Sequence, residues 1–173
     1  MASVQKDYYW GFINTEGKYV INPQFDTASF FSSNGLASVY KDGMWGYINE
    51  QGEYVINPQY TYVGEFSENG LAFVENEYAY GYIDAEGKFV INKPYEFISS
   101  FTKHGLAPVY DNNKWGFIDS TGEFVISPMY KDVSAFYDDG YAYVMVDDKY
   151  GIIDGKGNYV VMPMFDRIGP CYF

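Results

Sequence analysis

The sequence predicts an all-β repeat protein, and three observations carry that reading. The 173 residues include 20 Tyr, 14 Phe and 3 Trp, side chains that suit a pleated, half-buried surface. Eighteen Gly and seven Pro are spread along the chain, enough to turn many short strands, and no stretch of useful length places apolar residues at a helical period. Above all, the chain repeats itself. An aromatic residue followed by glycine occurs at Trp10-Gly11, Trp45-Gly46, Tyr80-Gly81, Trp115-Gly116 and Tyr150-Gly151, each step being 35 residues. In the same register a turn glycine recurs at Gly17, Gly52, Gly87, Gly122 and Gly157, and a later aromatic at Phe25, Tyr60, Tyr95, Tyr130 and Phe165.

The chain therefore divides into five units, 1–35, 36–70, 71–105, 106–140 and 141–173, within a single repeat domain spanning 1–173. One unit, residues 36–70, gives the elements in order. Leu36 to Lys41 alternates as a strand does. Lys41-Asp42-Gly43 marks a tight hairpin turn, and Trp45 to Asn49 is the second strand. Asn49-Glu50-Gln51-Gly52 is a turn in which the Asn side chain can accept from backbone amides while the glycine takes positive φ. Glu53 to Asn57 is the third strand, ended by Pro58 because proline cannot donate to a ladder. A looser extended piece, Tyr60 to Phe66, turns Val63 and Phe66 inward. Each unit is thus a meander of three or four short antiparallel strands.

A meander of 35 residues cannot bury enough surface to fold alone, so neighbouring copies must cover its faces. Two architectures satisfy that need: a closed five-bladed β-propeller and an open β-solenoid. Open arrays usually carry polar end repeats. The first and last units here are as aromatic as the middle ones, with Tyr8, Tyr9, Trp10 and Phe12 in one and Tyr141, Tyr143 and Tyr150 in the other. The sequence favours the ring on that ground, with the open solenoid as the alternative. The recurring aromatics Trp10, Trp45, Tyr80, Trp115 and Tyr150 are expected to form the structural core of the repeats.

The pattern Trp-Gly-(Phe/Tyr)-Ile-(Asn/Asp)-x-x-Gly-(Lys/Glu)-(Tyr/Phe)-Val-Ile-x-Pro resembles the bacterial WG repeat family, also called KWG repeats. Lys114-Trp115-Gly116-Phe117-Ile118-Asp119 is the copy nearest the pattern. Local departures are Tyr80 and Tyr150 in place of tryptophan, the shifted proline of Lys93-Pro94, and Met162 and Cys171 in the last unit. The resemblance implies an interaction or structural module, often found beside unrelated domains, and brings no catalytic residue set with it.

Charge narrows the partners. Eleven Lys and Arg against 23 Asp and Glu give a formal charge of −12. A nucleic-acid surface needs a positive field, so neither nucleic acid nor an anionic membrane surface is expected to bind. No apolar run reaches the length of a membrane span, and the first residues lack a signal-peptide core, which as written places the chain in the cytoplasm. One cysteine, Cys171, precludes an intrachain disulfide.

A functional residue in a repeat protein should break the pattern in one unit, and few do. His104, the single histidine, aligns with Asn34, Asn69 and Asp139 before a turn glycine, a position where any turn-forming polar residue fits. Without a second histidine or a Gly-x-Ser-x-Gly turn, no His-based metal site or nucleophile triad is written. Asp138-Asp139, Asp147-Asp148 and Asp111 suggest solvated turns rather than a calcium loop, since their spacing is not that of an EF-hand. Glu65, Glu75 and Glu77 are one-off acids of the kind that paired-carboxylate chemistry would use. No catalytic residue, metal ligand or cofactor site is expected.

The places where the units differ are the turns before each aromatic-glycine strand. They supply a candidate binding rim of Tyr8, Tyr9, Met44, Tyr78, Asn112, Asn113, Asp147 and Asp148. Variable loops on a rigid scaffold are a common binding design, and exposed aromatic and apolar residues are enriched at interfaces. The function expected is a non-catalytic module binding protein or peptide. The alternative is a lectin-like binder with one shallow aromatic and Asn/Asp pocket per unit.

Overall fold

The structure, a computed structural model, describes residues 1–77, 80–93 and 95–169. Every regular element among them is a strand. No helix is long and apolar enough to cross a membrane. The chain forms two compact units, Met1–Asn92 and Lys93–Phe173.

The first unit holds three antiparallel sheets. β1 (Ala2–Lys6), β2 (Tyr9–Ile13) and β3 (Tyr19–Phe25) make a three-stranded meander. β4 (Thr27–Ala28), β5 (Ala37–Lys41), β6 (Met44–Ile48) and β7 (Tyr54–Tyr60) make a four-stranded one. β8 (Tyr62–Val63), β9 (Ala72–Glu75), β10 (Tyr80–Ile83) and β11 (Phe89–Ile91) repeat it. The second unit holds two more four-stranded sheets: β12 (Phe97–Ile98), β13 (Ala107–Asp111), β14 (Lys114–Ile118) and β15 (Phe124–Tyr130); then β16 (Asp132–Val133), β17 (Tyr141–Val146), β18 (Lys149–Asp154) and β19 (Tyr159–Phe165). Five sheets thus answer five sequence repeats, but out of phase with them. The short strands β4, β8, β12 and β16 lie at the end of one sequence period and pair with the first long strand of the next. Each of the first four sequence repeats therefore lends a strand to the sheet that follows it.

The first hairpin of four of the five sheets turns on two residues that both take positive φ: Asp7-Tyr8, Asp42-Gly43, Asn112-Asn113 and Asp147-Asp148. This is the type I′ geometry, whose twist matches that of paired strands and whose positions favour Asn, Asp and Gly. The second turn is held by a side chain. Asn49 Oδ1 accepts from the amides of Gln51 and Glu53, each at 3.0 Å, and the same two bonds recur at Asn14, Asp84, Asp119 and Asp154.

The aromatic-glycine pair marks a bulge. Trp45 pairs with Tyr60 and Tyr47 with Ile56, so two residues of extra chain on β7 face Gly46. A Cβ on Gly46 would lie 2.5 Å from the Ile56 carbonyl oxygen and 2.7 Å from the Pro58 nitrogen. Only a residue without a side chain admits the bulged strand at that distance. Pro58, expected to end the third strand, lies inside β7, as do its counterparts in β3 and β15. The reason is that a bulged residue owes the ladder no hydrogen bond. Where the proline is shifted by one place, β11 stops at Ile91.

In four of the five sheets a fully buried aromatic lies two residues beyond the one expected. Phe12, Tyr47, Tyr82 and Phe117 are buried, and Tyr47 donates its hydroxyl to the Gly64 carbonyl at 2.7 Å. Trp10, Trp45, Tyr80, Trp115 and Tyr150 are half-buried. Trp10, Trp45 and Trp115 pack on the margin of the buried clusters, and the neighbouring strand supplies a ring to several of them, Tyr40 at 5.2 Å from Trp45 and Tyr110 at 5.2 Å from Trp115. They form the edge of the core rather than its centre, because positions 45 and 47 share a face of the strand and position 45 lies two residues nearer the hairpin end of the sheet.

Candidate functional site

Two surfaces differ from the rest of the repeats: the hairpin tips and the seams between successive sheets. The tips carry the predicted rim. Tyr8 is 90% exposed, Tyr9 49% and Met44 39%. Tyr8 lies in the two-residue turn itself, and Tyr9 and Met44 open the strands that leave such turns, at the end of the sheet beyond the core. Asn112, Asn113, Asp147 and Asp148 are also exposed, at the equivalent tips of the second unit. These tips are polar: Asn112 Nδ2 donates to Asp111 at 2.9 Å, and Lys131 Nζ lies 3.0 Å from Asp148. Tyr78 is outside the described residues. The tips of the first two sheets therefore add aromatic and apolar side chains to Asp7 and Asp42, whereas those of the second unit are amide and carboxylate.

The one-off groups are spread through the fold. Glu65 is held by the hydroxyls of Ser29 at 3.3 Å and Ser32 at 3.4 Å. Partial burial raises its pKa above the usual carboxylate value, and the serine hydrogen bonds oppose that shift. Glu75 serves through its backbone, its carbonyl accepting from the Thr61 amide at 2.8 Å and the Thr61 hydroxyl at 3.0 Å. Glu77 follows β9, and Cys171 is outside the described residues. No group of three or more His, Cys, Asp or Glu side chains among the described residues is arranged to hold a metal ion. His104 borders a polar cavity of about 490 Å³ with Gly140, Asp154, Lys156 and Asn158. A Cβ at Gly140 would be 3.5 Å from its ring. Asp138 is paired with Lys103 at 3.0 Å, and Asp139 accepts from the Tyr141 amide at 3.1 Å, which is the turn role expected of that position.

The seams were not legible as sites. Within each unit, the Asx turn of one sheet seats on the isoleucine of the sheet before it. A Cβ at Gly52 would lie 3.2 Å from Ile21, at Gly87 3.2 Å from Ile56, and at Gly157 3.2 Å from Ile126. Beside the first of these seats Phe25 and Tyr54 meet with ring centroids 6.3 Å apart, and in the second unit Tyr95 and Phe124 meet at 5.7 Å. Tyr130 is in hydrogen-bonding contact with Tyr159, and burial above all pushes its hydroxyl up to about 12. In the fifth sheet an apolar cavity of about 200 Å³ is lined by Tyr141, Ala142, Ile152, Val160 and Val161. These residues correspond to Leu106, Ala107, Phe117, Val125 and Ile126 in the preceding repeat, where the Asp154–Gly157 turn lies against Leu106 and Ile126. The periodicity that identified the repeats contained this signal, since residue 161 falls in the register of Ile21, Ile56 and Ile126.

Comparison with known proteins fits this construction. The model of the WG containing repeat matches residues 10–45, 45–78, 80–115, 115–150 and 150–170, and the chain belongs to that family. Among solved structures, a chain described as "Crystal structure of the eukaryotic initiation factor" superposes with a TM-score of 0.60 at 10% identity, covering 91% of this chain and 50% of that one. The structure of Kluyveromyces lactis Hsv2p gives a TM-score of 0.50 at 14% identity, covering 85% of this chain and 58% of that one. The chain thus spans about half the length of the solved chains it matches. At these identities the likeness shows the fold alone, an array of antiparallel sheets of the propeller-like kind. A search of curated protein sequences finds no match.

Proposed function

We propose that this chain is a non-catalytic interaction module whose hairpin tips present a protein- or peptide-binding rim. The single observation that carries the reading is the exposure of Tyr8 in a two-residue turn and of Tyr9 and Met44 at the strand positions that follow such turns. Large apolar side chains held at the tips of short hairpins lose little freedom on binding, and rings of this kind dominate interface energetics. The second unit's Asn and Asp tips supply polar contacts and, with the overall acidity, favour a partner with basic groups. No nucleic acid, membrane insertion or cofactor is part of this reading.

A displayed peptide library sorted against the intact chain tests it. Binders that lose affinity on Tyr8→Ala, Tyr9→Ala and Met44→Ala, in a chain whose circular dichroism is unchanged, support the rim. Saturable binding of a glycan at about five equivalent sites would favour the lectin alternative instead, and turnover lost on changing a single acid such as Glu65 would favour an enzyme.

The architecture belongs with the function. The arrangement of the five sheets that we favour is a closed five-bladed β-propeller, supported by the likeness to propeller-like folds, with an open β-solenoid as the alternative.

A further inference from the structure

We infer that the polar cavity beside His104 binds a small organic anion, its oxyanion head received by Lys156, His104 and Asn158 and its apolar stem lying over Leu106. The cavity measures about 490 Å³. It lies within the second unit, between the turn that carries His104 and the Asx turn of the fifth sheet. The first observation is that departures from the repeat pattern converge there. His104 stands where other repeats have Asn34, Asn69 and Asp139. Lys156 stands where they have Glu16, Gln51, Glu86 and Thr121, none of them cationic. Gly155 replaces Thr15, Glu50, Ala85 and Ser120, and Asn158 replaces Lys18, Glu53, Lys88 and Glu123. The turn itself needs only Asp154 and the backbone amides of residues 156 and 158. Side chains from two successive repeats have thus changed together around one cavity.

The second observation is which groups are left over. The carboxylates are engaged. Asp154 Oδ1 accepts from the Lys156 and Asn158 amides, each at 2.9 Å, and Oδ2 accepts from Asn158 Nδ2 at 3.0 Å. Beside His104, Asp138 is paired with Lys103 and Asp139 accepts from the Tyr141 amide. The cations are not engaged: among the described residues, no side chain forms a hydrogen bond or ion pair with the Lys156 ammonium or the His104 ring. An ammonium brings three donors, and an imidazole donates from at least one nitrogen in either protonation state. Spare capacity of that kind matches an oxyanion, whose charged acceptors make the stronger hydrogen bonds. Gly155 supplies the room. A Cβ there would lie 3.9 Å from a Leu106 methyl, so its absence leaves that methyl to a ligand. In the matching seam of the first unit Ala85 packs against the buried cluster and Glu86 reverses the charge. The formal charge of −12 repels anions at a distance, but salt screens it beyond about 8–10 Å, and the donors at the cavity act at contact.

An NMR titration of the intact, nitrogen-15-labelled chain tests the inference with four probes that share one stem: butyrate, butyl phosphate, butanol and butylammonium. The expected result is saturable shifts with an anion at the amides of His104, Gly155, Lys156 and Asn158, and none with the alcohol or the amine. Whichever anionic head saturates at the lower concentration assigns carboxylate or phosphate. His104→Asn and Lys156→Glu write in residues that other repeats carry at these positions, so the fold is retained, with unchanged circular dichroism as the check. Each should weaken the anion by about tenfold or more, as loss of a hydrogen bond to a charged group does. Gly155→Ala, with Ala85 as its counterpart, should weaken binding without lowering Tm, since its backbone has no left-handed conformation. The absence of saturable shifts with both anions overturns the inference. So does binding that survives both charge variants, or an equal response to butanol or butylammonium. The Asp147-Asp148 tip is at the other end of β18, so these outcomes leave the rim proposal untouched.

Discussion

Replacing Gly46 with alanine isolates the cause of the aromatic-glycine motif. Gly46 has no left-handed backbone, so alanine fits its conformation, and the only obstacle is space. The added carbon would sit 2.5 Å from the Ile56 oxygen, 2.7 Å from the Pro58 nitrogen and 2.9 Å from the Asn57 carbonyl carbon. All three are backbone atoms of a bulge pinned by Trp45–Tyr60 pairing on one side and Tyr47–Ile56 on the other. No rotamer change relieves the clash, so the strand itself must move. Overpacking costs about 1–3 kcal/mol, and a backbone obstacle puts this case at the top of that range. Reduced freedom of the unfolded chain offsets about 0.4–1 kcal/mol, leaving a net loss of about 2–3 kcal/mol. For a chain of this size that is a fall in Tm of about 4–12 °C. Gly64→Ala is the control: its Cβ would meet Phe73 at an ordinary 3.6 Å, and the change should be within about 0.5 kcal/mol of neutral. Thermal melts followed by circular dichroism decide the matter. If Gly46→Ala melts with Gly64→Ala, the bulge does not require glycine and the account of the motif fails.

Three further substitutions probe the parts of one repeat. Tyr47→Phe removes the hydroxyl that reaches the Gly64 carbonyl at 2.7 Å, and should cost about 1–2 kcal/mol in urea unfolding with the ring packing preserved. Trp45→Ala should cost about 2 kcal/mol rather than the 3–5 of a central core residue, because the indole lies at the margin of its cluster; a loss of 4 or more would show the side chain to be central after all. Asp119→Ala should cost about 1 kcal/mol at neutral pH by freeing the Thr121 and Glu123 amides. The Thr121 hydroxyl, at 2.6 Å, and those amides hold the Asp119 carboxyl below its ordinary value. Its contribution is therefore present above the unfolded pKa and is lost as pH falls through the lower folded one. The gap between parent and Asp119→Ala should narrow on acidification below about pH 4, which parallel melts across pH would register.

How far the sequence could be read follows from which interactions are local. Turns are local, so the Asn49 and Asp119 caps and the two-residue hairpins at Asp42-Gly43 and Asn112-Asn113 were legible from residue type and spacing. The 35-residue register was legible for the same reason: it needs only comparison of the chain with itself. Pro58 misled because its missing donor has a different meaning in a bulge than in a regular ladder, and a bulge is a property of two strands together. Trp45 misled because a recurring large aromatic marks a packed position without saying how deep it lies; Tyr47, one pleat further on, was the centre.

The sequence by itself determined that the protein is a five-fold array of antiparallel meanders, because strand alternation, turn chemistry and repetition are all written along the chain. Tertiary structure alone decided that each of the first four repeats lends its last strand to the next sheet, that glycine admits a bulged strand, and that the Asx turn of one sheet seats on an isoleucine of the sheet before it. Those facts depend on which strand edges and faces come within a few ångströms of one another, and separation in space between residues far apart in the chain is not encoded at any single position.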